Sequence, residues 1–110
     1  MSNTPEGKVK DMIKKVLKAN GAWYHMPVQN GMGKPTLDFT CCYRGLFFAI
    51  EAKAPGKLMT SRQIRTCLDI KGCGGTTFVV FDEDSMGQVV TWMATQAFKG
   101  SNYEQTNSSQ

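Results

Sequence analysis

The chain has 110 residues, enough for one hydrophobic core but not for two. Its 41% hydrophobic and 20% charged residues are ordinary for a globular domain, and no apolar run approaches the ~18 residues that would span a bilayer. The formal net charge of +4 suits a polyanionic partner, but it becomes informative only if the lysines and arginines gather around one site.

The N-terminal stretch MSNTPEGKVK has no apolar core of a secretory signal, so the chain is expected in a cytoplasm, without membrane contact. Thr4-Pro5 reads as an N-cap and first helical position. Val9, Met12, Ile13, Val16 and Leu17 then recur at helical spacing, and Asn20-Gly21 supplies the stop. The other face carries Lys10, Lys14 and Lys18 at intervals of four, either a solvated surface or a phosphate-contacting one.

Ala22 to Val28 predicts a short strand that Pro27 confines to an edge or ends. The loop QNGMGKP, with two glycines and Lys34, follows. Leu37 to Cys42 and Leu46 to Ala52 predict two strands about a turn at Tyr43-Arg44-Gly45, and APGK at 54–57 a further loop. Thr60 caps a second helix, with Ile64, Cys67 and Leu68 expected inward and Gly72 at its end. TTFVVF at 76–81 is the most strand-like run and is expected at the centre of the sheet.

Ser85-x-x-Gln88 resembles a capping box. Met86, Val89, Val90, Met93 and Ala97 keep helical spacing after it, although Val89-Val90-Thr91 would also suit a strand. The segment 101–110, SNYEQTNSSQ, is polar and expected to be a disordered tail. The implied fold is α/β, a small mixed sheet flanked by helices, in a single domain over residues 1–100.

Cys41, Cys42, Cys67 and Cys73 contain no CxxC pair, and His25 is the one histidine, so a zinc site is not expected. They read as reduced thiols in or near the core. Trp23 and Trp92 are expected in the core rather than stacked on a base.

The hairpin carries the chemistry. A loop centred between Arg44 and Gly45 makes facing residue numbers sum to 89, which sets Asp38 opposite Glu51. Two-residue and symmetric four-residue loops both give this register, and a three-residue loop shifts it by one. Alternation puts Leu37, Phe39, Cys41, Phe48, Ile50 and Ala52 on an apolar face, and Asp38, Thr40, Phe47, Ala49, Glu51 and Lys53 on the other.

Facing carboxylates about 5 Å apart repel by roughly 3 kcal/mol at an effective dielectric near 20, more than a favourable cross-strand pair gains. Two arrangements would relieve this. One is a plain ion pair with Lys53; the other is a hard cation held by Asp38, Glu51 and the backbone carbonyl of Ala52, as magnesium prefers when a phosphate completes its shell.

An acid, a short hairpin and then E-x-K closing the next strand resemble the PD-(D/E)XK nuclease superfamily. Within it, GKPTLDFTCCYRGLFFAIEAKAPGKLMTSRQ is similar to the VRR-NUC family, in particular its small stand-alone, Holliday junction resolvase-like members from phages and bacteria. The resemblance spans residues 5 to 82. It implies a restriction-endonuclease-like core, with Asp38 as the motif acid, Glu51 and Lys53 as the E-x-K pair, Gln63 as the glutamine of the following helix, and Glu6 as a first-helix glutamate.

One departure is plain: many relatives place the acid directly after proline, whereas Pro35-Thr36-Leu37-Asp38 places it two residues later. The implied activity is Mg2+-dependent hydrolysis of phosphodiester bonds, with Mn2+ as substitute and no organic cofactor, by a homodimer on branched DNA such as four-way junctions. Lys34, Lys57, Arg62 and Arg65, with Lys10 and Lys14 on the first helix, would then grip the DNA backbone. The alternatives are a basic DNA-binding module without catalysis, or a nuclease acting on flaps or other nucleic-acid structures.

Overall fold

A computed structural model describes residues 2–29, 31 and 33–108, with side chains through residue 99. The elements run α1 (Pro5–Ala19), β1 (Trp23–His25), β2 (Phe39–Tyr43), β3 (Leu46–Ala52), α2 (Ser61–Gly72), β4 (Thr76–Val80) and α3 (Glu83–Ser108). The four strands form one sheet in the order β1-β2-β3-β4, antiparallel except for the parallel β3–β4 pair, which α2 connects. This is the mixed α/β architecture expected. Among the described residues no helix is long and apolar enough to cross a membrane.

Capping sets the helix starts. The Thr4 hydroxyl accepts from the Gly7 N–H at 3.0 Å, and Pro5 occupies the first turn of α1. Thr60 and Gln63 close a reciprocal capping box on α2, the Gln63 N–H donating to the Thr60 hydroxyl and the Thr60 N–H to Gln63 Oε1. In α3 the cap differs from the sequence reading. Asp82 is the cap, its Oδ1 accepting from the Ser85 N–H at 2.8 Å while the Ser85 hydroxyl accepts from the Asp82 N–H, so the helix starts before Ser85. The shorter, ionised Asp82 side chain holds the cap, and no strand forms at 89–91.

One sheet face is sealed by α1 and α3. Val9, Ile13 and Leu17 of α1 and Met86, Val89 and Met93 of α3 bury Phe39, Cys41, Phe48 and Ile50 between them. Trp92 packs on this cluster, with its ring centroid 5.0 Å from that of Phe48. Burying each such side chain contributes about 1.5–3 kcal/mol. The opposite face is covered by α2 alone, where Leu37, Ala49 and Cys67 form a small second cluster with Met59 and Ile70.

Four expectations are corrected. Leu37 packs with Ala49 under α2 rather than with Phe39, because regular strand geometry begins only at Phe39. The inward residues of α2 are Gln63, Thr66, Cys67 and Ile70, and the apolar Ile64 and Leu68 are exposed. β4 is an edge strand; its apolar character reflects the helices packed on it rather than flanking strands. Trp23 is 62% exposed on β1 instead of buried.

All four cysteines are free, Cys41 and Cys67 buried and Cys42 and Cys73 exposed. Burial pushes the Cys41 thiol up to about 12, consistent with an inert core residue. Helix α3 continues through residues 101–108, and the tail reading at 109–110 lies outside the described residues, as do residues 30 and 32 of the expected loop.

Candidate active site

The β2–β3 turn is two residues long. Arg44 and Gly45 both have positive φ (50° and 83°), as the type I′ turn that matches strand twist requires. The register follows: Tyr43 faces Leu46, Cys41 faces Phe48 and Phe39 faces Ile50, each pair summing to 89. One step further, Asp38 meets Glu51 at a position where facing side chains approach most closely. There the two acids replace the backbone ladder with reciprocal bonds. The Ala52 N–H donates to Asp38 Oδ2 at 3.0 Å, and the Asp38 N–H donates to Glu51 Oε1 at 3.1 Å.

Each acid thus sits fixed by the partner strand's backbone. Glu51 is only 3% exposed, and its second oxygen accepts from Gln63 Nε2 at 2.6 Å. The capping box of α2 holds the other end of that same Gln63 amide, so one side chain both starts the helix and orients the buried carboxylate. Lys10 reaches across from α1, with Nζ 3.8 Å from Asp38 Oδ1 and 3.3 Å from Glu6 Oε2.

Burial first, and then the charge of Asp38, push the Glu51 carboxyl up to about 7. The Asp38 N–H and the charge of Lys53 oppose that rise, and Glu6 adds slightly to it. Among the described residues Lys53 makes no ion pair with either acid; Lys10 is the amine that does. Lys53 is half-buried, anchored by its backbone N–H to the Val80 carbonyl at 2.9 Å, and close enough for its charge to act on Glu51.

The donor set is chemically suited to a hard divalent cation. Asp38 and Glu51 offer four carboxylate oxygens, each engaged once in the protein and so keeping a further lone pair. Burial first and the charge of Asp38 next hold the Glu51 carboxyl at about 7, so a cation placed between the two acids would favour its ionised form. Among the described residues no three His, Cys, Asp or Glu side chains form a metal cluster, so two acids, backbone carbonyls and substrate oxygens would have to complete a shell.

No family model matches the chain, and no curated protein does. A solved structure titled "VRR_NUC domain" superposes on it with a TM-score of 0.69 at 21% identity, covering 80% of this chain and 96% of that one. The chain has the VRR_NUC fold.

Within this VRR_NUC fold the basic residues divide into two groups. Lys34, Arg62 and Arg65 are exposed along a groove of about 950 Å³ beside α2, and Lys57 is exposed in the loop after β3. Lys14 instead pairs with Asp11 at 3.8 Å, and Lys10 turns toward the acids. Sequence reasoning missed the position of Lys10. Its signal was available: Lys10 lies one turn after Glu6 and beside Val9 at the edge of the buried stripe.

Proposed function

We propose that the chain is a member of the VRR-NUC family and a metal-dependent endonuclease that hydrolyses phosphodiester bonds in branched DNA, four-way junctions included. The observation that carries this reading is the buried Glu51 carboxylate, opposite Asp38 and held by Gln63 at 2.6 Å. A packed sheet has no structural use for a buried carboxyl that faces a second acid and is pushed toward its protonated form.

Asp38 and Glu51, with the Ala52 carbonyl, would hold Mg2+ or Mn2+, which when bound polarises a phosphoryl oxygen and acidifies water. Gln63 fixes the orientation of Glu51 and keeps its oxygen aimed across the strand pair. Lys10 positions Asp38 and screens it from Glu51. Lys53 is the residue assigned to the attacking water or the charge that develops on the phosphate. Glu6 acts through Lys10. Lys34, Lys57, Arg62 and Arg65 carry the DNA backbone, and a homodimer would set two such sites across a junction.

The test is cleavage of a labelled synthetic junction and of a matched linear duplex in Mg2+ or Mn2+. Wild type should cut the junction, and Lys53→Ala should lose cleavage by at least ~100-fold, the scale of a general acid–base group, while retaining junction binding. Binding without product at any divalent concentration would replace this reading with the non-catalytic module. Cutting of flaps in preference to four-way junctions would narrow the branched substrate to one with a single-stranded arm, and equal cutting of RNA would replace DNA as the substrate.

A further inference from the structure

The sheet face that α2 covers is covered at one end only. Helix α2 packs on Leu37 and Ala49 and reaches Glu51 through Gln63, whereas the hairpin end of the same face is bare. There the register aligns Trp23, Cys42 and Phe47 in one row across β1, β2 and β3. Trp23 is 62% and Phe47 48% exposed. Two strand spacings, about 10 Å, separate the two backbone positions. The Trp23 ring stacks against that of His25, with centroids 6.4 Å apart and planes 18° from parallel. Phe47 has its Cδ2 3.4 Å from where a Gly75 Cβ would be, so one ring edge is braced and the remainder faces outward.

Phe47 lines the 950 Å³ groove, together with Lys34, Arg62 and Arg65. Among the described residues these three cations make no ion pair, and Asp69 is the one carboxylate on the groove wall. A smaller cavity of about 240 Å³ adjoins it, sharing Lys34, Thr36 and Arg62 in its wall and adding Gln63, whose amide holds Glu51. Cations that make no ion pair and the exposed Phe47 ring therefore line adjoining cavities that reach from Gln63, beside the buried Glu51, toward the hairpin, with Trp23 in the same sheet row as Phe47.

We propose that this face holds an unpaired DNA strand, with bases stacked on Phe47 and Trp23 and phosphates on Lys34, Arg62 and Arg65. Aromatic rings accept any base and the cations accept any phosphate, so recognition is of single-strandedness and not of sequence. The inference rests on the nuclease reading for the choice of DNA. It adds that, among branched DNAs, those carrying a single-stranded segment next to the cleaved bond are held more tightly than fully paired four-way junctions. A second copy of the chain is the competing occupant, disfavoured by three like charges that it would have to neutralise.

Fluorescence anisotropy of a labelled oligo-dT in EDTA tests this apart from cleavage. Phe47→Ala and Trp23→Ala should each weaken oligo-dT binding by roughly 5- to 150-fold, leave a blunt duplex within about twofold, and preserve the circular dichroism of wild type. Phe47→Tyr should retain affinity. Arg62→Ala and Arg65→Ala should each reduce the slope of log K against log salt by about 0.7. Unchanged oligo-dT affinity in both aromatic variants overturns the proposal. So does a wild-type dimer that either variant converts to monomer with DNA affinity intact. Oligo-dT binding that depends on Phe47, in a protein that cuts nothing in Mg2+, would leave the groove standing and remove the nuclease.

Discussion

Glu51 makes the metal-free protein lose stability as pH rises. Its carboxyl ordinarily titrates at 4.5, and in the folded chain it is raised to about 7, by burial first and by Asp38 next. Between those values the folded state keeps a proton that the unfolded chain releases. The Glu51 contribution to stability is therefore fully present below pH 4.5, falls as pH climbs toward 7, and levels off beyond it. The full difference is about 3 kcal/mol, and about 2–3 kcal/mol of it lies between pH 5 and pH 8.

A bare Coulomb term for the two acids would by itself be roughly 3 kcal/mol. That figure is too large for Asp38 alone, because Lys10 stands 3.8 Å from it and partly screens it. Burial supplies the larger share. Urea titration in EDTA at both pH values measures the loss directly, and Glu51→Gln removes the titrating group. The variant loses one bond, since its new amide meets a donor at either Gln63 or Asp38, at a cost of about 1 kcal/mol at both pH values. Wild type should drop by 2–3 kcal/mol more than Glu51→Gln from pH 5 to pH 8. Parallel pH profiles would refute the claim that this carboxylate is held at a cost.

Four other substitutions, at three positions, follow from the geometry. Gln63→Ala removes both the 2.6 Å bond to Glu51 and half of the α2 capping box, and should cost about 1.5–3 kcal/mol in urea denaturation along with most of the cleavage activity. Gln63→Glu can keep the box but sets a third carboxylate against Glu51, so it should be destabilised more at pH 8 than at pH 5. Lys10→Met frees Asp38 from its ion pair and should tighten Mn2+ binding by up to roughly fivefold in calorimetry, with little change in stability. Gly45→Ala forces a Cβ into φ 83° with no neighbour to clash against, so its cost of about 1–2 kcal/mol should be purely conformational and should leave divalent affinity unchanged.

The hairpin was legible because a two-residue turn leaves no freedom in register. Once Arg44-Gly45 is the turn, Asp38 must face Glu51, and the two extra residues after Pro35 do not matter. Helix α2 was harder. Ile64 and Leu68 repeat at four-residue spacing and look like an inward stripe, but the capping box and the bond to Glu51 rotate Gln63, Cys67 and Ile70 inward instead. Treating Gln63 as an inward residue would have phased the helix correctly. The edge position of β4 was hidden because a run like TTFVV reports covered faces, and coverage by α2 and α3 serves as well as flanking strands. Lys53 fits the motif, yet the nearer amine comes from α1, a tertiary contact that no hairpin pattern encodes. Exposed Trp23 was hidden for a similar reason: composition favours burying tryptophan, and only the structure shows that Trp23 lies on the face of β1 away from α1, beyond the part that α2 covers.

Calorimetric titration of Mn2+ into the metal-free protein tests the central claim most directly, with Asp38→Asn as the control that keeps a side-chain oxygen for the Ala52 N–H. Wild type should bind near pH 6.5 with release of the Glu51 proton, and Asp38→Asn should bind at least tenfold more weakly. Equal heats from the two proteins, or none from wild type, would mean that these facing acids hold no cation.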